Sequence, residues 1–365
     1  MMETPLALKL KARIARDGPI GVADYMEACL LDPEHGYYRR RPAIGAAGDF
    51  VTAPEISQVF GELIGLWCGV VWQQMGSPPR VNLVELGPGR GTLMRDALRA
   101  TRVVPGFRDA LSVHLVDSNA ALREVQARTL AETGVPLTFH ESVQNVHLPD
   151  GPTLLVANEF LDALPVAQLV FAGGQWCLRR VTLAGDGGFA FVADTAAGQA
   201  PVAVPGGLTP REGDILELCA HHARLANTLL ATHAARGPLA ALFIDYGHAA
   251  TGFGDTLQGV AEQAHVSPFE TPGETDLSAQ VDFQSFATAC RGTGLVVEGP
   301  LPQAELLGRL GLIERTSRLM AANPQRASEI EAGALRLMAP TGMGSRFLAL
   351  GVRSGDVAPL PGFDG

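Results

Sequence analysis

The chain is short of paired cysteines. Its five, Cys29, Cys68, Cys177, Cys219 and Cys290, lie far apart and none forms C-x-x-C. That argues against a zinc site or a disulfide framework and for a reducing compartment, here taken as cytoplasmic. Positive charge is scarce as well: 28 Lys and Arg stand against 38 Asp and Glu, a formal net charge of −10. A general nucleic-acid binder needs a basic face, so none is expected. A small molecule or a basic protein segment is the more natural partner. No apolar run reaches the roughly 18 residues of a membrane-spanning helix, so no membrane insertion is expected. The N-terminal Met-Met-Glu-Thr-Pro-Leu lacks the basic region and apolar stretch of a signal peptide. Neither an internal repeat nor a low-complexity segment appears. His221 and His222 are adjacent, and on a helix they point about 100° apart, so they are poor co-ligands and no metal is expected. What remains, 47% hydrophobic and 18% charged residues over 365 positions, is the profile of an ordinary enzyme with a large core, in one elaborated domain or two.

The dinucleotide pattern G-x-G-x-x-G is also missing. In its place, Val81-Asn-Leu-Val-Glu-Leu-Gly-Pro-Gly-Arg-Gly-Thr92 sets Gly87, Gly89 and Gly91 at every second position, with Pro88 between the first two. Val81, Leu83, Val84 and Leu86 read as a buried strand, and Leu93 to Ala100 as a helix. A glycine turn between them lets a ligand approach the backbone at the C-terminal edge of a parallel sheet. Glu85 precedes the turn. A carboxylate there would repel a pyrophosphate but suits a cationic group, such as the amino group of S-adenosylmethionine (SAM). Leu111 to Val116 is a second strand ending in Asp117-Ser118, roughly 25 residues past the turn, where an acid accepts hydrogen bonds from ribose hydroxyls. Asp117 could equally cap the helix expected over 120–130.

Two helices, Leu6 to Arg16 and Val22 to Leu31, open the chain. Tyr37 and Tyr38 follow in a loop, either as a binding surface or as aromatic packing. Gly48-Asp49-Phe50 then leads to Thr52, Pro54 and Glu55, a Thr-x-x-Glu cap for a helix running through Trp67. This segment could fold over a cofactor as a lid, with Gly48, Asp49 and Thr52 touching it. Leu137 to Glu141 and Thr153 to Ala157 are further strands. The latter runs into Asn158-Glu159-Phe160-Leu161-Asp162, which puts three polar groups on the rim that carries the glycines. Asp162 could alternatively cap a following helix. From Val166 the pattern becomes a small β insertion (Gln168 to Phe171, Gln175 to Leu183, Phe189 to Val192), followed by a helix over Ile215 to Ala235. Leu239 to Ile244 is a core strand ending in Asp245. Thr251 to Thr275 reads as one long loop. Asp282 caps a helix, and Leu295 to Glu298 and Phe347 to Val352 close the sheet. The expected organisation is an N-terminal helical lid region (1–76), a first core part (77–165), the insertion (166–236), and the rest of the core (237–365) with a substrate-side loop at 249–275.

Gly-Asp-Phe-Val-Thr-Ala-Pro-Glu-Ile-Ser, Glu-Leu-Gly-Pro-Gly-Arg-Gly-Thr-Leu and Asn-Glu-Phe-Leu-Asp-Ala-Leu-Pro resemble three blocks of the MidA family of SAM-dependent methyltransferases, which is related to the mitochondrial assembly factor of respiratory complex I. Phe243-Ile-Asp-Tyr-Gly247, Pro272-Gly-Glu-Thr-Asp-Leu-Ser278 and Val281-Asp-Phe283 fit as well. The chain departs from the family at His248, usually aromatic, and over Leu257 to His265, usually basic with aromatics. The resemblance implies a Rossmann-like α/β methyltransferase sheet and arginine methylation of a protein, such as a complex I core subunit. Glu85 and Gly87 to Gly91 would hold the methionine portion and Asp117 the ribose. Asn158, Glu159 and Asp162 would face the acceptor, with Glu159 the first choice to pair a guanidinium and Asp245 the second. Methylation of a small molecule, or SAM binding without catalysis, are the alternatives. The oligomeric state stays open, a homodimer included.

Overall fold

A computed structural model describes residues 3–40, 52–195, 207–261 and 264–363. The central sheet is built from β1 (Val81–Leu86), β2 (Leu111–Val116), β3 (Leu137–His140), β4 (Thr153–Asn158), β5 (Leu239–His248), β6 (Val296–Pro302) and β7 (Phe347–Arg353). Their spatial order is β6-β7-β5-β4-β1-β2-β3. The five strands from β5 to β3 are parallel, and β7 runs antiparallel to both β5 and β6. β1 and β4 are buried at every residue, because helices cover both faces of a parallel sheet. Leu83, Val113, Val156 and Leu242 face one layer, with Phe60 and Trp67. Val84, Leu155 and Phe243 face the other, with Leu229 and Phe286.

The chain leaves β1 toward β2 and returns to the far side of β1 with β4. The sheet therefore changes direction between β1 and β4, where open α/β sheets bind ligands beyond the strand ends. The helix after the glycine turn, Thr92–Ala100, is held by close packing. A Cβ at Gly65, on the helix Gln58–Gln74, would stand 2.5 Å from the Ala97 Cα. Only glycine permits that approach, and it seats the long helix against the one that carries the turn.

Several expectations are corrected. The helix through Trp67 does not begin at Thr52. A short helix, Ala53–Ile56, is broken at Ser57, whose side chain caps Gln58–Gln74 by accepting from the Val59 N–H. Thr52 makes no side-chain cap bond. Glu55 is drawn away from its capping place by Thr92, whose hydroxyl donates to it at 2.5 Å. Residues 215–235 do not form one helix. Ile215–Leu218 is a strand paired with Ala167–Val170, and the helical stretch starts only at Ala220; long-range pairing overrides local preference. The presumed loop over 251–275 contains Gln258–Ala261, which pairs with Asp276–Ser278 and with Ala264–Val266. Glu217 anchors it by accepting from the Thr256 N–H at 3.1 Å. The insertion sheet also recruits Ile20–Gly21 from the N-terminal region, paired with Arg180–Val181. The helices Gln303–Arg309, Leu312–Ala322 and Ala327–Met338 had no counterpart in the sequence reading. No helix among the described residues is long and apolar enough to cross a membrane.

Candidate active site

Three strand ends meet at the switch point. At the end of β1, Glu85 is 3% exposed, and its Oε2 is buried with no hydrogen-bond partner among the described residues. Burial, with Asp117 adding repulsion, pushes its carboxyl up to about 8. The turn after it places Gly87, Gly89 and Gly91 at φ values of 63°, 53° and 79°. These are left-handed conformations that favour glycine.

At the end of β2, Asp117 is not the cap of the next helix; Asn119 is, accepting from the Ala121 and Leu122 N–H groups. Asp117 Oδ1 accepts from the Asn119 N–H at 2.8 Å and Oδ2 from Gln126 Nε2 at 2.8 Å. Gln126 also donates to the Gly89 carbonyl at 2.8 Å. One fully buried glutamine thus joins the glycine turn to the acid. The sequence reading missed it, because a glutamine inside a helix carries no local signal. Burial pushes Asp117 up to about 6. The Ser118 carbonyl accepts from Arg39 Nη1 at 3.0 Å, and Arg39 also pairs with Glu141 at 3.1 Å. Arg39 thereby ties the N-terminal region across the mouth of the site.

At the end of β4, Asn158 and Glu159 follow one another. Glu159 has a φ of 52°, strained for a residue with a side chain. Its Oε1 accepts from the Ala53 N–H and from Asn158 Nδ2, each at 3.0 Å. Its Oε2 takes no hydrogen bond from the described residues. Burial pushes Glu159 up to about 7. Asp245, read as an alternative acceptor group, is spent otherwise. Its Oδ2 accepts from the N–H groups of Phe160, Leu161 and Asp162 at 3.0, 2.8 and 3.2 Å, and Oδ1 from that of Tyr246 at 2.9 Å. It is 1% exposed and lines neither of the rim cavities described next. Asp162 lines neither as well, and no helix follows it to be capped. Burial raises its carboxyl to about 6.

Two cavities join along this rim. The larger, about 380 Å³, is lined by Gly87, Gly89, Asp117, Ser118, Glu159 and Phe160, with Tyr38 and Glu27 from the N-terminal helices. The smaller, about 40 Å³, is lined by Thr52, Glu85, Gly87, Pro88, Gly89, Asn158 and Glu159. Gly87, Gly89 and Glu159 belong to both. The two adjacent tyrosines divide the roles proposed for them. Tyr37 is buried in the N-terminal core, while Tyr38 lines the larger cavity and donates to Asp276 at 3.1 Å. A cavity of about 460 Å³, larger than either rim cavity, lies on the outer side of Thr92–Ala100. Its charges pair with each other, as Arg95 with Asp96 at 3.1 Å and Arg326 with Glu329 at 2.7 Å, so the rim cavities are the better site. Gly48 and Asp49 lie outside the described residues, as does the whole stretch 41–51 that leads into Thr52. No cluster of metal-ligating side chains occurs among the described residues.

A buried carboxylate before the glycine turn, the turn itself and an acid after β2 fit a nucleoside that carries an amino-acid group. Residues 63–301 match the family described as S-adenosyl-L-methionine-dependent methyltransferases. The chain belongs to that family. A Drosophila melanogaster protein named protein arginine methyltransferase NDUFAF7 homolog, mitochondrial, is 36% identical to the methyltransferase over 98% of this chain and 88% of its own length. The human protein arginine methyltransferase NDUFAF7, mitochondrial, is 32% identical over 94% and 82%. Among solved structures, a COG1565 superfamily member from Burkholderia thailandensis, bound to S-adenosyl-homocysteine, is 26% identical. It superposes with a TM-score of 0.83 over 100% of this chain and 97% of its own. The methyltransferase is thus a Rossmann-like, SAM-dependent enzyme. One expectation is overturned: the relatives are named as mitochondrial proteins, so the cytoplasmic assignment is withdrawn.

Proposed function

We propose that the methyltransferase methylates arginine side chains of a protein. The observation that carries this reading is Glu159, a half-buried carboxylate on the shared wall of the two cavities, with one oxygen held by Ala53 and Asn158 and the other taking no hydrogen bond from the described residues. A guanidinium is a planar donor with no acceptor, and a carboxylate is its natural partner. Two relatives named as protein arginine methyltransferases support the same acceptor. A respiratory complex I subunit is the proposed target, on the family resemblance.

SAM supplies an electrophilic methyl group on a sulfonium. The residues of the chain do the rest. Asp117 would hold the ribose, and Glu85 with the Gly87–Gly91 turn would hold the methionine portion, Glu85 accepting from its amino group. Glu159 Oε2 would accept from one guanidinium N–H, hold that nitrogen in line with the methyl and take its proton as the N–C bond forms, while the methyl–sulfur bond breaks and S-adenosylhomocysteine leaves. Alignment is the main contribution, since no covalent enzyme intermediate is needed. Asp245 is a positioning residue that holds the turn bearing Glu159. Incubation with methyl-labelled SAM and a cell extract, followed by acid hydrolysis of the labelled protein, tests the reading. Labelled methylarginine is expected. Label confined to small molecules, to another amino acid, or absent despite SAM binding would overturn it.

A further inference from the structure

The outer face of the helix Thr92–Ala100 carries arginines that the methyl-transfer site does not use. Arg95, Arg99 and Arg102 recur at helical spacing along that helix and the 3₁₀ turn Thr101–Val103 that continues it, so they share one face. With Arg108 they line a cleft of about 220 Å³, together with Thr129, Glu132 and Thr133. Two of the four arginines are neutralised. Arg95 and Arg99 pair with the buried Asp96, each at 3.1 Å, and Arg99 also pairs with the buried Glu62 at 2.9 Å. The other two are not. Arg102 is exposed and makes no ion pair or hydrogen bond with the described residues. Arg108 donates from Nη2 to the Thr133 carbonyl, and its Nε is buried with no acceptor among the described residues. A guanidinium stays charged in a protein and only donates, so a buried N–H without an acceptor calls for an anion. Glu132, the one carboxylate lining the cleft, does not offset two free guanidinium groups. In a chain of net charge −10, this is a local surplus of positive charge.

The loop between the two unpaired arginines, Arg102-Val-Val-Pro-Gly-Phe-Arg108, is apolar at its tip. Val103 is 76% exposed, more than any other large hydrophobic side chain among the described residues. Pro105 and Gly106 are exposed near it. The tip is held out firmly. Phe107 is fully buried, its ring 5.2 Å from that of Trp72. Val104 lies over Gly69, where an added Cβ would meet it at 2.9 Å. Val70, next to that glycine, is 42% exposed as well. An apolar tip set between cations matches a charged lipid surface, where phosphates overlie an apolar layer. A soluble phosphate or an acidic protein segment would use the arginines but not Val103.

We propose that this cleft and loop dock the enzyme on an anionic phospholipid surface, with Arg102 and Arg108 on a headgroup phosphate and Val103 in the interfacial layer. Such docking needs no membrane-spanning helix. None of these residues lines the rim cavities, so cofactor and acceptor sites stay free. The inference does not depend on the identity of the methyl acceptor.

Cosedimentation of the full chain with vesicles tests it, using phosphatidylcholine alone and phosphatidylcholine mixed with phosphatidylglycerol. Wild type should bind the mixed vesicles only, and less as salt rises, because salt screens surface charge. Arg102→Ala and Arg108→Gln should each weaken binding by about fivefold, the scale of one basic residue at an anionic surface. Val103→Ser should weaken it by a few-fold through lost apolar area. Val103→Trp should strengthen it, with tryptophan emission moving to shorter wavelength on mixed vesicles alone. SAM affinity should match wild type in all four variants. Arg102 and Val103 are exposed, so their substitution tests the proposal even where Arg108→Gln fails to fold. No binding to mixed vesicles, equal binding to both kinds, or wild-type binding by Arg102→Ala and Val103→Ser overturns the proposal. Calorimetry showing inorganic phosphate bound in the cleft, without vesicle binding, would make it a site for a soluble phosphate and overturn the membrane reading.

Discussion

The turn after β1 and the turn after β4 do the same geometric work with opposite materials. Both reverse the chain at the rim, and both use left-handed backbone conformations. The first uses glycine at each such position, Gly87, Gly89 and Gly91. The second uses Glu159, at a φ of 52°. At the first turn the empty space is the useful feature: a Cβ on Gly87 would come within 3.1 Å of the Phe160 ring, and the cofactor needs the same room. At the second turn the side chain is the useful feature, so the strain, of order 1 kcal/mol or more, is retained. Asp245 explains how it persists. One carboxylate oxygen gathers three successive N–H groups just after Glu159, which fixes the turn whatever residue 159 would prefer.

The largest effect expected is at the glycine turn. Gly89→Val combines a branched side chain in the cofactor's space with a φ of 53°, and should abolish SAM binding. Calorimetry on the folded variant checks this, and wild-type affinity there would remove the distinction between the two turns.

Next comes Glu159→Gln, which keeps the shape but not the charge. SAM affinity should stay within a few-fold, and methyl transfer should fall by roughly 10², the scale of one preorganised charged contact. Glu159→Gly sharpens the comparison, since it gives the second turn the material of the first. It should abolish transfer with no loss of thermal stability, because relief of strain offsets the lost bond from Ala53. A marked drop in Tm would mean that Glu159 is structural.

Asp245→Ala should cost stability, not acceptor recognition. Four backbone N–H groups lose their partner, at about 1–3 kcal/mol in total even if water or relaxation satisfies some of them. Denaturant unfolding measures the loss. A variant as stable as wild type but inactive would return Asp245 to the acceptor.

Asp117→Ala should weaken SAM binding by roughly 1–3 kcal/mol. Gln126→Leu should weaken it less, because Gln126 acts through Asp117 and the Gly89 carbonyl.

The smallest expected effect is a trend with pH. Burial raises Glu85 to about 8 and Glu159 to about 7 from a usual 4.5, and Asp117 to about 6 from 3.8. Between the usual and the raised values these carboxyls bind more protons in the folded chain than in the unfolded one, which lowers stability as pH rises. His114 and His222, held down at about 4 by burial, act in the opposite sense up to about 6.5, so the net fall in stability is expected from about 6.5 to about 8. The cofactor-free protein should show a Tm that declines over this window, and SAM should flatten the decline by pairing Glu85. Transfer itself should rise through pH 7 as Glu159 ionises. A Tm that increases across the same window would mean that these carboxylates are not held protonated.

How much of this was legible in the sequence depends on distance along the chain. β1 and β2 fall at Val81–Leu86 and Leu111–Val116, the bounds expected from the apolar runs. The helices Val22–Leu31 and Ala120–Leu130 do as well. Each is set by its own periodicity and by a stop signal next to it. The glycine turn, the acid before it and the acid after β2 are local patterns too, and together they fixed the cofactor class.

What the tertiary structure alone decided involves partners far apart in sequence. Gln126 reaches back to Gly89, Asp245 to Phe160, Ala53 to Glu159, and Ile215–Leu218 to Ala167–Val170. A side chain's type says whether it can accept or donate, and that is why a carboxylate at the rim could be expected to meet a cation. Which partner it meets is set by packing. Glu159 was the first choice and Asp245 the second among the strand-end acids. Backbone donors claimed both oxygens of Asp245, and one oxygen of Glu159 was left open.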